Sequence, residues 1–534
     1  MKKSLFPALL LACLPTLLYG QNRIGTGPAK DLYLQYCAAC HGQNLEGGQG
    51  SSLIDDVWNY GSSDAAIAKT ILEGVPDLGM VPWKGVLTNE QIRSLVILIR
   101  EQKLIAESTG LLEKVKPLGG VFSTRHHNFT MEKVAEVDDI LWSIAFLPDA
   151  SILITQRDGK LWRLVNGEKI GIEGIPQVWE VGQGGLMEVM PHPQYEENGW
   201  IYLSFSEHVG AKLDGKDAAM TAIVRGRIER GKWVDEEEIF RAPPHFHTTK
   251  GGHFGSRFVF KDEYLFFSIG ERQQQELAQD LTLPSGKIHR IYHDGRIPRG
   301  NPFFNKPDAF KTIWSYGNRN PQGLDLHPVT GDLWETEHGP RGGDELNIIR
   351  PGLNYGWPVI TYGMNYDGTP MTDKTHMEGM EQPAHYWLPS IAVCGIDFYE
   401  GNKFPQWKNN LLVSGMSAEE IQRLVIRDGK VVHSETILKK QGRVRDVASG
   451  PDGYIYAAIN TRSPNSGALF RLKPVPQPQW RSLFNGHDLD RWQVRGDSVP
   501  VLVDDGHIVA LPRGTTGNTF LSTKESFRDF ILEA

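Results

Sequence analysis

Three residues near the N-terminus define one chemistry: Cys37, Cys40 and His41, in the run CAACH. Two thiols one helical turn apart can add across the two vinyl groups of a haem, and the histidine that follows is then placed to ligate the iron. The expected product is a covalently held haem c. An electron-transfer haem needs a second axial ligand, commonly methionine. Met80 is the one methionine between Met1 and Met131, and it lies in the Pro-containing loop GMVPW. A thioredoxin-type or zinc-type Cys-x-x-Cys is the competing reading. No second such pair follows and no βαβ pattern surrounds this one.

The elements that must position these residues are helical. Residues 28–38 read as a helix leading into CAACH. Thr88 reads as an N-cap with Gln91 completing a capping box. Ile92, Leu95, Val96 and Ile99 then recur at i, i+3, i+4 and i+7, the spacing of an amphipathic helix that would close the haem pocket. Motif, methionine loop and closing helix together resemble a class I cytochrome c domain over residues 21–106. Residues 107–120 read as a linker, on the strength of Lys114–Gly120 with Pro117 and two glycines.

A second set of chemically capable residues lies in later loops: Gln183 in GQGGL, His253 in GGHFGSR, Glu271 in SIGER and Arg319 with Asn320 in GNRNPQG. Gly339 and Pro340 in EHGPRGGDE, and Arg443 and Arg445 in GRVRD, complete it. The loops recur at matching places in a repeated pattern of apolar strand, turn, apolar strand. Copies begin near Trp142, Leu186, Arg257, Gly323, Gly395 and Arg445, so a six-bladed β-propeller over residues 121–475 is expected. A β-sandwich is the alternative, although sandwiches do not repeat one hairpin in this way. Loops at one end of a propeller converge on its axis. A base, cationic donors and backbone carbonyls gathered there would suit proton abstraction from an alcohol beside an anionic cofactor.

The motifs GQGGL, H-x-G-x-R-x-V-F, IGER, GNRNPQGL, EHGPRGGDELN, NYGWP and RVRDV, in this order, resemble the soluble PQQ-dependent glucose/aldose sugar dehydrogenases, the glucose/sorbosone dehydrogenase family. The resemblance implies that His253 is the general base for the sugar's anomeric hydroxyl and that Glu271, where the family usually has Asp, orients it. Arg319 would stabilise charge developing on the quinone. Gln183, Asn320, Arg443 and Arg445 would hold PQQ, and the carbonyls of Gly339 and Pro340 would bind calcium, for which oxygen ligands are suited. One departure stands out. Where some members carry a lysine for PQQ, this chain has MSAEEIQR, with Ser417, Glu419 and Glu420. Losing a cation beside a buried tricarboxylate should weaken its binding.

The first twenty residues read as a secretory signal: Lys2 and Lys3, an apolar run over 5–18, then Gly20 before Gln21. A lipoprotein site at Cys13 is the less favoured reading. Periplasmic or secreted localisation follows. Of the four cysteines, Cys394 would then lack an intramolecular partner, so packing rather than disulfides must hold the fold. The net charge of −8 over 534 residues, without a basic stripe, gives no support to nucleic-acid binding. No segment after the signal is long and apolar enough to span a membrane. Residues 476–534 open with SLFNGHDLDRW, which resembles the start of a 3-keto-disaccharide hydrolase-like, concanavalin-like jelly-roll domain, here expected to be cut short.

The chain is therefore expected to be multi-domain: an all-α cytochrome c domain, an all-β propeller and a partial β-sandwich. Its expected activity is PQQ-dependent oxidation of an aldose to its lactone, with electrons passed to the haem and on to an external acceptor such as another cytochrome. The substrate would be an aldose or oligosaccharide. The alternative is a haem-bearing propeller that has lost PQQ and binds carbohydrate or a partner. A role of the whole protein in glycoside breakdown rests on family analogy alone.

Overall fold

The computed structural model describes residues 27–55, 58–109, 120–208, 210, 212–462, 465–476, 482–495, 501–504, 507–510 and 520–525. The expected signal segment, Cys13 and residues 110–119 of the expected linker lie outside them. Contacts divide the chain into two units between Val475 and Pro476.

The first unit opens with four helices: α1 Pro28–Tyr36, α2 Ala38–His41, α3 Asp64–Glu73 and α4 Asn89–Thr109. Pro28 suits a first turn, because its fixed φ is helical and its missing N–H needs no partner. The helix expected over 28–38 is two helices, since Cys37 leaves helical geometry at φ −120°, ψ −34°. α4 begins as expected, with Thr88 N–H donating to Gln91 Oε1 at 2.8 Å and Gln91 N–H donating to Thr88 Oγ1 at 3.3 Å. It runs past residue 106 to Thr109. Ile92, Leu95, Val96 and Ile99 are buried in one apolar cluster with Tyr33, Ile67 and Ile71. Ile97 and Leu98 are fully buried too. Helix α4 is covered on two sides because Met364 and Leu388 of the propeller join the same cluster.

Six antiparallel sheets follow. Their innermost strands are Leu141–Phe146, Leu186–Pro191, Phe258–Lys261, Pro321–Leu326, Val393–Phe398 and Arg443–Ser449, in blades 1 to 6. Each expected repeat start falls on or beside one of these strands. Strands in the middle of a blade, such as Ile152–Gln156 and Leu411–Gly415, are buried along their whole length because neighbouring blades cover both faces. Blade 6 is closed in a way the repeat did not reveal. Asn128–Val137, ahead of the first repeat, pairs antiparallel with Asn465–Val475, for example Met131 opposite Leu472. The beginning and the end of the propeller segment thus share one sheet, which closes the ring.

The axis is filled by a buried polar knot. Arg257 Nη1 lies 2.8 Å from Glu188 Oε2 and 3.1 Å from Asp446 Oδ1. Its Nε donates to the Gln322 carbonyl at 2.8 Å and its Nη2 to the Arg445 carbonyl at 3.1 Å. Trp142 lies under the guanidinium, 4.3 Å from its ring centroid. Ser143 Oγ donates to Glu188 Oε1 at 2.5 Å. One side chain from blade 3's edge therefore touches blades 1, 2, 4 and 6.

The second unit is small in its described part. Trp492–Arg495 pairs with Phe520–Thr523, and Val501–Asp504 pairs with His507–Ala510. Asn485 Oδ1 accepts the N–H groups of His487 and Asp488 at 2.9 and 3.0 Å, which shapes the FNGHDL turn.

Replacing Arg257 by Met leaves two buried carboxylates without their counter-charge. Arg257→Met should lower unfolding free energy by about 3–5 kcal/mol. Denaturant titration followed by tryptophan fluorescence measures it, and a loss below about 1 kcal/mol would contradict the central role given to this residue.

Candidate haem and sugar-oxidation sites

At the haem motif, the break at Cys37 separates the two thiols onto the end of one helix and the body of the next. Among the described residues both cysteines are free. Tyr33, fully buried, donates its hydroxyl to the Gly42 carbonyl at 2.7 Å and fixes the turn that follows His41. His41 Nδ1 lies 2.8 Å from the Ser51 carbonyl. That bond sets Nδ1 as the donor, leaving Nε2 as the lone-pair nitrogen available to a metal. Gly50 makes room for the ring: a Cβ there would stand 2.7 Å from His41 Cε1. Met80 is held by paired backbone bonds with Val75, at 2.8 and 3.1 Å. It packs with Cys37, Tyr36 and Trp83 against the helical cluster. The donor set and its spacing fit a haem c.

At the propeller axis, the structure joins most of the expected residues into one chain of contacts. His253 Nδ1 lies 2.7 Å from Glu271 Oε1. The longer arm of Glu, where Asp is usual, still meets the imidazole at hydrogen-bond distance. His253 holds a left-handed backbone, φ 54°, which a non-glycine residue keeps only when its surroundings impose it. Two contacts impose it. Gln183 Oε1 accepts the His253 N–H at 2.8 Å, and Arg272, buried against Phe254, donates to the carbonyls of Gly252 and Lys250. Burial pushes the His253 pKa down and the nearby Arg319 adds to this, while Glu271 opposes both. Burial works against the Glu271 carboxylate, but the bond from His253 and the field of Arg319 hold its pKa below the ordinary value. The pair is thus a neutral imidazole backed by a carboxylate, the arrangement a general base requires.

Arg319 is buried beside this pair. Its carbonyl accepts the Glu271 N–H at 2.8 Å, its Nη1 donates to the His338 carbonyl at 3.2 Å and its Nη2 to Tyr366 Oη at 3.3 Å. Among the described residues its Nε is buried without a hydrogen-bond partner, and so is the Nε of Arg445. Two cationic side chains with buried, unused donors fit an anionic ligand such as a polycarboxylate quinone. Asn320 Oδ1 accepts the Gly255 N–H at 3.1 Å, so part of its capacity serves the His253 loop. Arg445 reaches back to the buried Cys394 Sγ, 3.9 Å from its Nη1. Arg443 stands at the head of the same strand, against Met416. Among the described residues no donor reaches the carbonyl oxygens of Gly339 and Pro340, which leaves them open to a hard cation. The Gly339 N–H is held at 2.9 Å by Asp344, whose pKa burial raises to about 6.

Sequence reasoning missed two neighbours. Tyr366 contacts Arg319 directly, and Trp357 lies with its ring centroid 5.2 Å from the Arg319 guanidinium. Trp357 sits in NYGWP, a motif noticed but given no task. Tyr366 lies in residues 364–383, which no copy of the repeat covers. Within 208–220, Lys212–Leu213 pairs with Lys216–Asp217, and Ala219 exchanges backbone hydrogen bonds with Thr248, five residues before His253. The acids of the 417–420 loop are partly accounted for: Glu420 is buried and bound to Lys439 at 3.2 Å and to Gln422 Nε2 at 2.6 Å.

Comparison with known proteins agrees with this geometry. Residues 138–471 match the family described as Glucose / Sorbosone dehydrogenase. The chain belongs to that family. Residues 27–99 match Cytochrome C oxidase, cbb3-type, subunit III, and residues 479–534 match the 3-keto-alpha-glucoside-1,2-lyase-like domain. Aldose sugar dehydrogenase YliI of Escherichia coli K12 is 43% identical over 342 residues, covering 62% of this chain and 90% of the relative. Quinoprotein glucose dehydrogenase B of Acinetobacter calcoaceticus is 26% identical over 408 residues, 61% of this chain and 83% of the relative. The crystal structure of the soluble E. coli aldose sugar dehydrogenase in its apo form superposes with a TM-score of 0.60 at 38% identity, over 65% of this chain and all (100%) of that one. The cytochrome segment is 33% identical over 72 residues to the FixP subunit of Bradyrhizobium diazoefficiens, 13% of this chain and 24% of that protein. The protein is thus a sugar-dehydrogenase-type propeller joined to a cytochrome c domain, with a 3-keto-disaccharide hydrolase-like segment after it.

A protonated imidazole has no lone pair to accept a proton. With the His253 pKa below the ordinary value of about 6.5, sugar-dependent dye reduction should stay flat through neutral pH. It should decline only well on the acid side. Glu271→Gln removes the group that raises this pKa, so the acid limb should move to lower pH while kcat/KM falls by about a hundredfold or more. A pH–rate profile of both proteins checks the sign.

Proposed function

We propose that the protein oxidises the anomeric carbon of an aldose to the lactone and delivers the electrons to its own covalent haem. The observation that carries this reading is the buried His253–Glu271 pair, 2.7 Å apart, beside an Arg319 with an unused donor. His253 Nε2 takes the proton of the anomeric hydroxyl, and Glu271 keeps the ring oriented and balances the charge it gains. Arg319 and Arg445 offer positive charge to an anionic cofactor, while the Gly339 and Pro340 carbonyls offer a calcium site. PQQ, held there, supplies the two-electron acceptor for the hydrogen on the anomeric carbon. Trp357 and Tyr366 keep the Arg319 guanidinium in place.

Electrons leave the sugar in a pair, whereas haem iron takes one at a time, so two successive transfers to the haem are needed. His41 and Met80 would hold the haem iron, and Cys37 and Cys40 would anchor the haem covalently. An external one-electron carrier would reoxidise the haem. No helix among the described residues is long and apolar enough to cross a membrane. The N-terminal run read as a secretory signal supports export, as haem c attachment and extracytoplasmic sugar oxidation require.

A second reading, a propeller without PQQ, is favoured by one observation: residues Ser417, Ala418, Glu419 and Glu420 bring no cation to the loop. Titration of the protein with PQQ and calcium separates the two, since saturable binding contradicts the second.

Anaerobic addition of glucose or another aldose to the protein loaded with PQQ and calcium should produce the reduced haem spectrum. His253→Ala should slow this by about 10²- to 10⁴-fold at unchanged haem content. A loaded protein whose haem stays oxidised with every aldose tested would sink the proposal.

A further inference from the structure

Helix α4 belongs to the cytochrome domain, yet its second covered side bears on the loops of the sugar site. Glu101 and Arg341 form a two-pronged ion pair, with Arg341 Nε 2.8 Å from Glu101 Oε1 and Arg341 Nη2 2.6 Å from Glu101 Oε2. Both side chains are almost fully buried, 2% and 4% exposed. Arg341 follows Pro340 directly, so it anchors the loop that presents the Gly339 and Pro340 carbonyls. The same loop is bridged to the next one, since Arg341 and Met364 exchange backbone hydrogen bonds, each at 3.0 Å. About two helical turns before Glu101, Arg93 Nη1 donates to the Thr361 carbonyl at 2.9 Å and Arg93 Nη2 to the Thr372 carbonyl at 3.0 Å. Those two carbonyls bracket Tyr366, which contacts Arg319. Ile97 fills the space between, beside Gly342, where an added Cβ would stand 3.7 Å from Ile97 Cδ1.

We infer that Glu101 and Arg93 are positioning residues for the quinone site, although they lie on the haem domain. Glu101 acts through Arg341 on the Gly339–Pro340 loop, and Arg93 acts through the 361–372 loop on Tyr366 and Arg319. Docking of the haem domain and assembly of the site are then one event, and α4 is the wall that the haem pocket and the sugar site share. A mere tether between two independent domains would need no such contacts: an ion pair buried this completely is costly unless its geometry is fully satisfied. The inference rests on the proposed use of PQQ.

Two readouts other than turnover test it. The first is amide hydrogen exchange of residues 338–344 and 361–372 in the full-length haem protein without PQQ. The second is PQQ affinity in the presence of calcium, from tryptophan fluorescence. Glu101→Gln should speed exchange in the 338–344 loop and weaken PQQ about tenfold, the scale of lost support behind a ligand-holding group. The haem spectrum should stay unchanged. Tyr386→Phe serves as a docking control. It removes the 3.3 Å hydrogen bond between Tyr386 and Asp64 of the haem domain but keeps the ring stacked on Tyr362 and both anchors in place. It should leave PQQ affinity as it is. Should Glu101→Gln not fold, Glu101→Asp and Arg93→Gln ask the same question, with Arg93→Gln acting on 361–372. Unchanged exchange, unchanged PQQ affinity, or an equal effect of Tyr386→Phe would overturn the inference. Absence of PQQ binding by the unsubstituted protein would overturn the proposed function as well, which separates the two failures.

Discussion

The Arg257 guanidinium at the propeller axis is the contact on which the rest depends. The sheets of a propeller pack face to face only on their neighbours, and nothing in a single sheet dictates how six of them meet at the axis. Arg257 reaches Glu188, Asp446, the carbonyls of Gln322 and Arg445, and the face of Trp142. A buried cation is tolerated only where each donor finds an acceptor, so this knot permits one arrangement of the blades around it. Its acceptors include the carbonyl of Arg445, itself a residue of the sugar site. His253, the proposed base, is four positions upstream of Arg257, on the loop that the knot terminates. Ring closure at the axis and placement of His253 therefore have a common physical origin.

Around that centre, the site is built from charges that are mostly compensated before any ligand arrives. Glu271 is held by His253 and by the Gln274 N–H at 3.0 Å. Glu337 is buried and accepts the Arg319 N–H, and Glu420 is bound by Lys439. Among the described residues the Nε groups of Arg319 and Arg445 keep unused donors, and these are what the proposed anionic cofactor would draw on. Of the two glutamates in the loop where some relatives have a lysine, Glu420 is paired with Lys439.

Joining a one-electron carrier to a two-electron oxidation site has a physical logic. A second binding event between tethered modules is intramolecular, with an effective concentration set by the connection. Here the modules also share buried surface: α4 contributes Ile97, Leu98 and Glu101 to a contact that includes Met364, Leu388 and Arg341. A fixed contact gives one donor–acceptor separation in place of a distribution of separations.

Much of this molecule was written in local patterns. CAACH, the Thr88–Gln91 cap, the i, i+3, i+4, i+7 apolar spacing of α4, and the six strand–turn–strand copies are all short-range features. Their chemistry or periodicity acts within a few residues, so the sequence by itself determined the haem motif, the helix and the blade count. What only the tertiary structure decided lies far apart in the chain. Pairing of Asn128–Val137 with Asn465–Val475 needs both ends present. The second buried side of α4 reads as excess apolarity at Ile97 and Leu98 until the propeller covers it. Tyr366 gains its place at Arg319 through an insert with no repeat to orient it. Contacts between residues hundreds of positions apart depend on how the blades and helices dock, and docking energy is a property of assembled surfaces, which no local run of residues carries.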